Sequence, residues 1–114
     1  MATFTKELLS GSTDGAPIDV AATATPGTLI HTAHATSLDE VWIYAFNTSG
    51  AKRTLTIEFG GVAGKDLVTC ELAAIGCGLI LVIPGSTLTG SLAVRAFCSV
   101  ANDVSIVGWV NRIT

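Results

Sequence analysis

His31 and His34, three residues apart, are the first side chains in this sequence whose types and spacing could do chemistry. An HxxH pair chelates a metal when both rings reach one point. On a strand, residues three apart point to opposite faces, so the pair fails unless a bulge intervenes. A site would also need a third ligand. Asp39 and Glu40 follow closely, but neighbours on a strand face opposite ways too. The four read as polar residues at a strand end beside a loop.

Nucleophilic catalysis needs Ser, Cys or Thr beside a positioned base. The only two histidines lie near one loop, and no Ser or Cys stands in a recognisable elbow. Gly76-Cys77-Gly78 flanks a thiol with small residues, but it opens an apolar run and has no papain-like or G-x-S-x-G context. Glu58 and Glu71 are the acids left for a carboxylate pair. Their places in alternating stretches assign both to solvent faces. Gly60-Gly61 and Gly64 lack a following helix and a Lys-Ser/Thr, so no phosphate loop is expected. These readings together predict no catalytic residue, no metal ligand and no cofactor.

The cysteines, Cys70, Cys77 and Cys98, are odd in number and match no metal spacing. They read as reduced, packed as small hydrophobes. A Cys70–Cys77 disulfide is the alternative. The six basic residues are scattered and only Lys52-Arg53 are adjacent, in a chain of net charge −3 and pI about 5.1. That is poor material for a phosphate-tracking groove, so nucleic acid is not expected as a partner. The N-terminal stretch lacks the basic start and apolar core of a secretory signal. The longest apolar run, residues 75–84, is far short of the ~20 residues of a membrane-spanning helix. No membrane partner is expected.

The elements that would position these residues are strands. Residues 38–61 read as two long strands joined at Asn47-Thr48-Ser49-Gly50, a central hairpin. In the second, Leu55, Ile57 and Phe59 alternate with Thr54, Thr56 and Glu58. In the first, Val41, Ile43 and Ala45 form one apolar face, and Trp42, Tyr44 and Phe46 form another. Further strands are expected at residues 17–24, 27–34, 66–72, 77–83, 91–100 and 104–113. Residues 77–83, closed by Pro84-Gly85, read as buried on both faces. The sum is an all-β fold: an eight-stranded antiparallel β-sandwich, jelly-roll or other Greek-key. Residues 1–15 read as an N-terminal arm and residues 16–114 as a single domain.

Only 13% of the 114 residues are charged and 49% are apolar, against about 25% charged in an ordinary domain. Trp42, Tyr44, Phe97 and Trp109 fall on second faces that should meet water. The arm or another subunit must cover them, unless a bulge shifts the facing by one. The expected subunit or capsid contacts are Phe4, Leu8, Leu9, Trp42, Tyr44, Phe46, Phe97 and Trp109.

Residues 5–15, 17–33, 39–61, 79–85 and 108–113 resemble a group of short tailed-bacteriophage virion proteins. The shared features are the arm TKELLSGSTDG, the aromatic stretch, an apolar strand ending in Pro-Gly, and a closing GWVNRI. The resemblance implies a virion structural protein, foremost a capsid decoration (cement) protein. Its partners would be the major capsid protein and copies of itself, a trimer ahead of a dimer. It would sit on the capsid surface after assembly in the bacterial host cytoplasm. Neck or tail proteins are the nearest alternatives. A carbohydrate- or receptor-binding module on the virion, using Trp42 or Trp109, is another. A cupin-type enzyme would need more inward histidines than two.

Overall fold

The computed structural model describes residues 2–76 and 78–114. Alternation of apolar and polar side chains drives nine strands. They are β1 (Phe4–Leu8), β2 (Ile18–Asp19), β3 (Thr28–Thr32), β4 (Leu38–Asn47), β5 (Arg53–Phe59), β6 (Leu67–Leu72), β7 (Ile80–Leu88), β8 (Ala93–Cys98) and β9 (Val104–Ile113). A 3-10 turn, Gly64–Asp66, precedes β6. The strands form two antiparallel sheets. One has the order β1-β9-β4-β7, with β2 also on β9; the other runs β3-β8-β5-β6.

The apolar faces of the two sheets meet. Val41, Ile43, Ala45, Ile106 and Val110 come from the first sheet, and Leu55, Ile57, Val94, Ala96 and Cys98 from the second. All of them are fully buried.

The hairpin expected at residues 38–61 is not a hairpin. β4 pairs with β7 and β9, and β5 pairs with β6 and β8. Each strand carries a complete apolar face, and crossing between sheets lets those faces pack on each other. Asn47 anchors the crossing. Its Nδ2 donates to the carbonyls of Ala51 (2.8 Å) and Ala73 (3.1 Å), while its Oδ1 accepts from the Ser49 amide at 2.8 Å.

Three further expectations are corrected. The ninth strand, β1, lies within the segment read as an arm. It pairs with β9 from Phe4↔Ile113 to Leu8↔Trp109. β2 continues along β9 at Ile18↔Ile106, so β1 and β2 occupy one edge in succession. β2 is also much shorter than the strand expected at residues 17–24. Finally, the apolar run at residues 77–83 is not buried on both faces. From Ile80 it belongs to edge strand β7, which continues to Leu88 and shifts register twice against β4. Those bulges, with Pro84, blunt the edge against further pairing. Cys70 and Cys98 are free thiols; the Cys77 end of the disulfide alternative lies outside the described residues.

β9 meets β4 along its whole length because Gly108 carries no side chain. A Cβ there would collide with the carbonyl oxygen of Trp42. Gly108→Ala is therefore expected to destabilise the fold by about 1–3 kcal/mol, the usual range for overpacking. Urea denaturation checks this; an unchanged midpoint would contradict the close approach.

Candidate functional site

The outer face of the first sheet is apolar and aromatic. In-register partners share a face. The pairing therefore puts Phe4, Lys6 and Leu8 of β1 with Ile113, Asn111 and Trp109 of β9. Leu38, Glu40, Trp42, Tyr44 and Phe46 of β4 follow on the same side. Leu81 and Pro84 of β7 complete it. Phe4 is 70% exposed, Leu8 55% and Leu81 43%. The other sheet's outer face is of the ordinary kind, with Thr54, Thr56, Glu58, Thr69, Glu71 and Arg95 among its residues.

The aromatic rings are stacked on one another. The Trp42 and Trp109 centroids lie 5.9 Å apart with planes 13° apart. Tyr44 stacks on Trp109 at 5.7 Å and 26°. Lys6 Nζ sits 5.3 Å from the Trp109 ring centroid, a cation–π distance. Gly85 (φ +79°) is pressed against Trp42; a side chain there would meet the indole at 2.8 Å. Glu40 Oε1 accepts from Trp42 Nε1 (2.8 Å) and Asn111 Nδ2 (3.1 Å). The Trp42 bond, with that from Asn111, holds the Glu40 carboxyl below the usual range. Beside Phe46 this face runs into an apolar cleft of about 540 Å³ lined by Phe46, Thr48, Ile75 and Leu79 among others.

Of the expected contact residues, Phe4, Leu8, Trp42, Tyr44, Phe46 and Trp109 share this face. Leu9 does not: it is 2% exposed and belongs to the core. Phe97 lies on the outer face of the opposite sheet, paired with Thr56.

The polar residues considered for chemistry do something else. His31 and Asp39 are buried inside the sandwich, where His31 Nε2 donates to Asp39 Oδ2 at 2.7 Å. Arg112 clasps the same carboxylate, Nε to Oδ1 at 2.8 Å and Nη2 to Oδ2 at 3.0 Å. Arg112 also pairs with Glu7 of β1 at 3.5 Å. The pair His31–Asp39 has the outline of part of a catalytic triad. Its free end, however, is taken. His31 Nδ1 accepts the Ser10 backbone amide at 3.0 Å, so no lone pair is left to take a proton from a hydroxyl. β3 does carry a bulge, between Leu29 and His31, yet the two histidines still diverge. His34 Nδ1 accepts from the Thr36 and Ser37 amides. Among the described residues, no group of three or more His, Cys, Asp or Glu could hold a metal ion.

Glu58 is another correction. Alternation puts it toward solvent, but it is 1% exposed. Its sheet face is the outer one, as expected. The loop before β3 folds over it, however, and the Thr25 hydroxyl and the Gly27 amide (2.6 Å) both donate to its carboxylate. Glu71 is exposed and pairs with Lys52 at 3.5 Å.

A scan against family models, a search of curated proteins and a search of solved structures each returned no match.

Burial pushes the Asp39 carboxyl up, but hydrogen bonds from Arg112, His31 and the His34 amide outweigh it and bring it down to about 2. The group's contribution is present in full above its unfolded value of 3.8 and is lost as pH falls toward 2. It amounts to about 2 kcal/mol. Stability measured from pH 5 to pH 2 should drop by about that amount more in the wild type than in Asp39→Asn. Equal slopes would contradict the pairing. Arg112→Met leaves the buried Asp39 carboxylate without its cation and should cost about 3–5 kcal/mol in urea denaturation at neutral pH.

Proposed function

We propose that this chain is a non-enzymatic structural protein of a bacteriophage virion, a capsid decoration protein that binds the outside of the major capsid lattice and stabilises it. The observation that carries the reading is the apolar outer face of the first sheet, where half-buried aromatic rings lie among exposed Phe4, Leu8, Leu38 and Leu81, in a chain so poor in charge. A protein built for life alone in water does not leave such a face open. The sequence resemblance supplies the virion context. The strand order supports the finer fold reading, a jelly roll. From β3 on, each strand crosses to the other sheet except β5 to β6, which pair within one; that is the order of two Greek keys, with β1 and β2 together filling one strand position.

Binding that favours the assembled lattice stabilises it by mass action, and many copies per shell add avidity. The protein acts as a homo-oligomer on the capsid surface, meeting neither nucleic acid nor membrane. A neck or tail position is the alternative place on the virion. The carbohydrate-binding alternative asks for an open aromatic ring face beside polar groups. Here Trp109 has Trp42, Tyr44 and Lys6 against it, and Trp42 has Trp109 and Gly85. That stacking favours a packing role over a sugar platform.

Particles of a phage carrying the gene, compared with particles from a deletion, test the proposal. The protein should be present in purified virions at many copies per shell, and its loss should lower the temperature at which filled capsids release DNA. Absence from virions would overturn the proposal. A few copies located at the neck or tail would overturn the decoration role.

A further inference from the structure

We infer that the outer face of the first sheet is covered by the same face of a second copy of this chain, in a twofold, sheet-on-sheet pair. The inference does not depend on the virion role; it rests on the face alone.

Area is the first argument. β4 and β9 have ten residues each and so run about 33 Å, and four strands span about 19 Å, giving roughly 600 Å² of face before side-chain relief. A stable pair buries about 800 Å² per partner. The protruding side chains, Phe4 at 70% exposed and Leu8 at 55% among them, bring the face to that order.

Charge is the second. Lys6 of β1, Glu40 of β4 and Asp19 of β2 are the charged residues on this sheet's outer face, and Lys6 is opposite in sign to the other two. All three are already engaged: Glu40 accepts from Trp42 and Asn111, Lys6 lies over Trp109, and Asp19 accepts from the Ser105 hydroxyl. Glu40 and Lys6 thus have little left to desolvate on docking, and Asp19 stands at the β2 edge of the face. Lys6 and Glu40 also lie at one level, because Lys6 pairs with Asn111 and Asn111 with Glu40. A twofold axis along the strands, between β9 and β4, lays β1 of each copy over β7 of the other. Each Lys6 then stands one strand from the partner's Glu40. The face is thus complementary to itself.

Topology is the third. Edge β7 is blunted by two register shifts and Pro84, so growth by edge pairing is disfavoured there. Stacking of one face on its own copy closes at two. In this respect the inference departs from the trimer that the resemblance suggests.

The test is light scattering on the purified full chain across a dilution series, read together with tryptophan fluorescence. The chain's two tryptophans both lie on this face, so emission reports its cover directly. The expected result is twice the 11.7 kDa protomer mass, with emission moving to longer wavelength and iodide quenching rising as the pair dissociates. Leu38→Lys with Leu81→Lys, at 44% and 43% exposed sites, should give a folded monomer, checked by circular dichroism. Leu29→Lys on the opposite sheet should stay paired. A monomer at every concentration would overturn the inference. So would a species of three or more copies, or a pair that dissociates with no change in tryptophan emission. A pair broken by Leu29→Lys but not by the double variant would overturn it as well.

Discussion

The structure depends on the carboxylate of Asp39. It is buried, and it receives the guanidinium of Arg112, the ring of His31 and the amide of His34. Those groups come from β9, β3 and the loop after β3, while Asp39 stands near the start of β4. Through Ser10 and Glu7 the cluster also reaches β1 and the loop that follows it. One charge therefore ties both sheets and the N-terminal segment together at one end of the sandwich. A buried ion pair contributes less to net stability than an apolar replacement of the same shape often would. It punishes misassembly, because any register that separates Asp39 from Arg112 leaves a charge buried and unpaired. No buried side-chain nitrogen or oxygen among the described residues lacks a partner.

With the interior specified in this way, the two outer faces can differ. The second sheet shows water a mixed surface, and its one buried acid, Glu58, is capped by the preceding loop. The first sheet carries the aromatic stack. Trp42 and Trp109 are direct partners across β4 and β9, and the close approach that stacks them relies on Gly108 beneath and Gly85 beside them. The rings therefore already pack on one another before any partner arrives. An aromatic surface packed in advance loses little side-chain entropy on docking, which suits a face meant to be covered.

Much of this was legible in the sequence. Period-two alternation located β5 and β8 within a few residues, and β9 at its bounds. The aromatic second face of β4 also followed from alternation. Pairing did not. Asn47-Thr48-Ser49-Gly50 is turn chemistry for a hairpin and for a crossing alike. The available signal was that both flanking strands carry a complete apolar core face. The buried cluster also left a trace. Asp39 is in phase with Val41, Ile43 and Ala45, and Arg112 with Val110 and Ile106. Opposite charges at core phase near the ends of two strands announce a buried pair. His31 and Glu58 left no such trace, since a loop from elsewhere in the chain completes each environment. Phe97 has the same alternation as the stacked aromatics, and only the sheet assignment separates it from them.

The central claim is that the aromatic face of the first sheet is an assembly surface, closed in the protein's working state. Hydroxyl-radical footprinting of Trp42 and Trp109 in the intact virion, against the dilute isolated chain, tests it most directly. The account predicts that oxidation of both indoles falls several-fold in the particle while exposed residues of the opposite sheet, such as Leu29, are oxidised as before or protected separately. Indoles as reactive in the particle as in the dilute chain would contradict it.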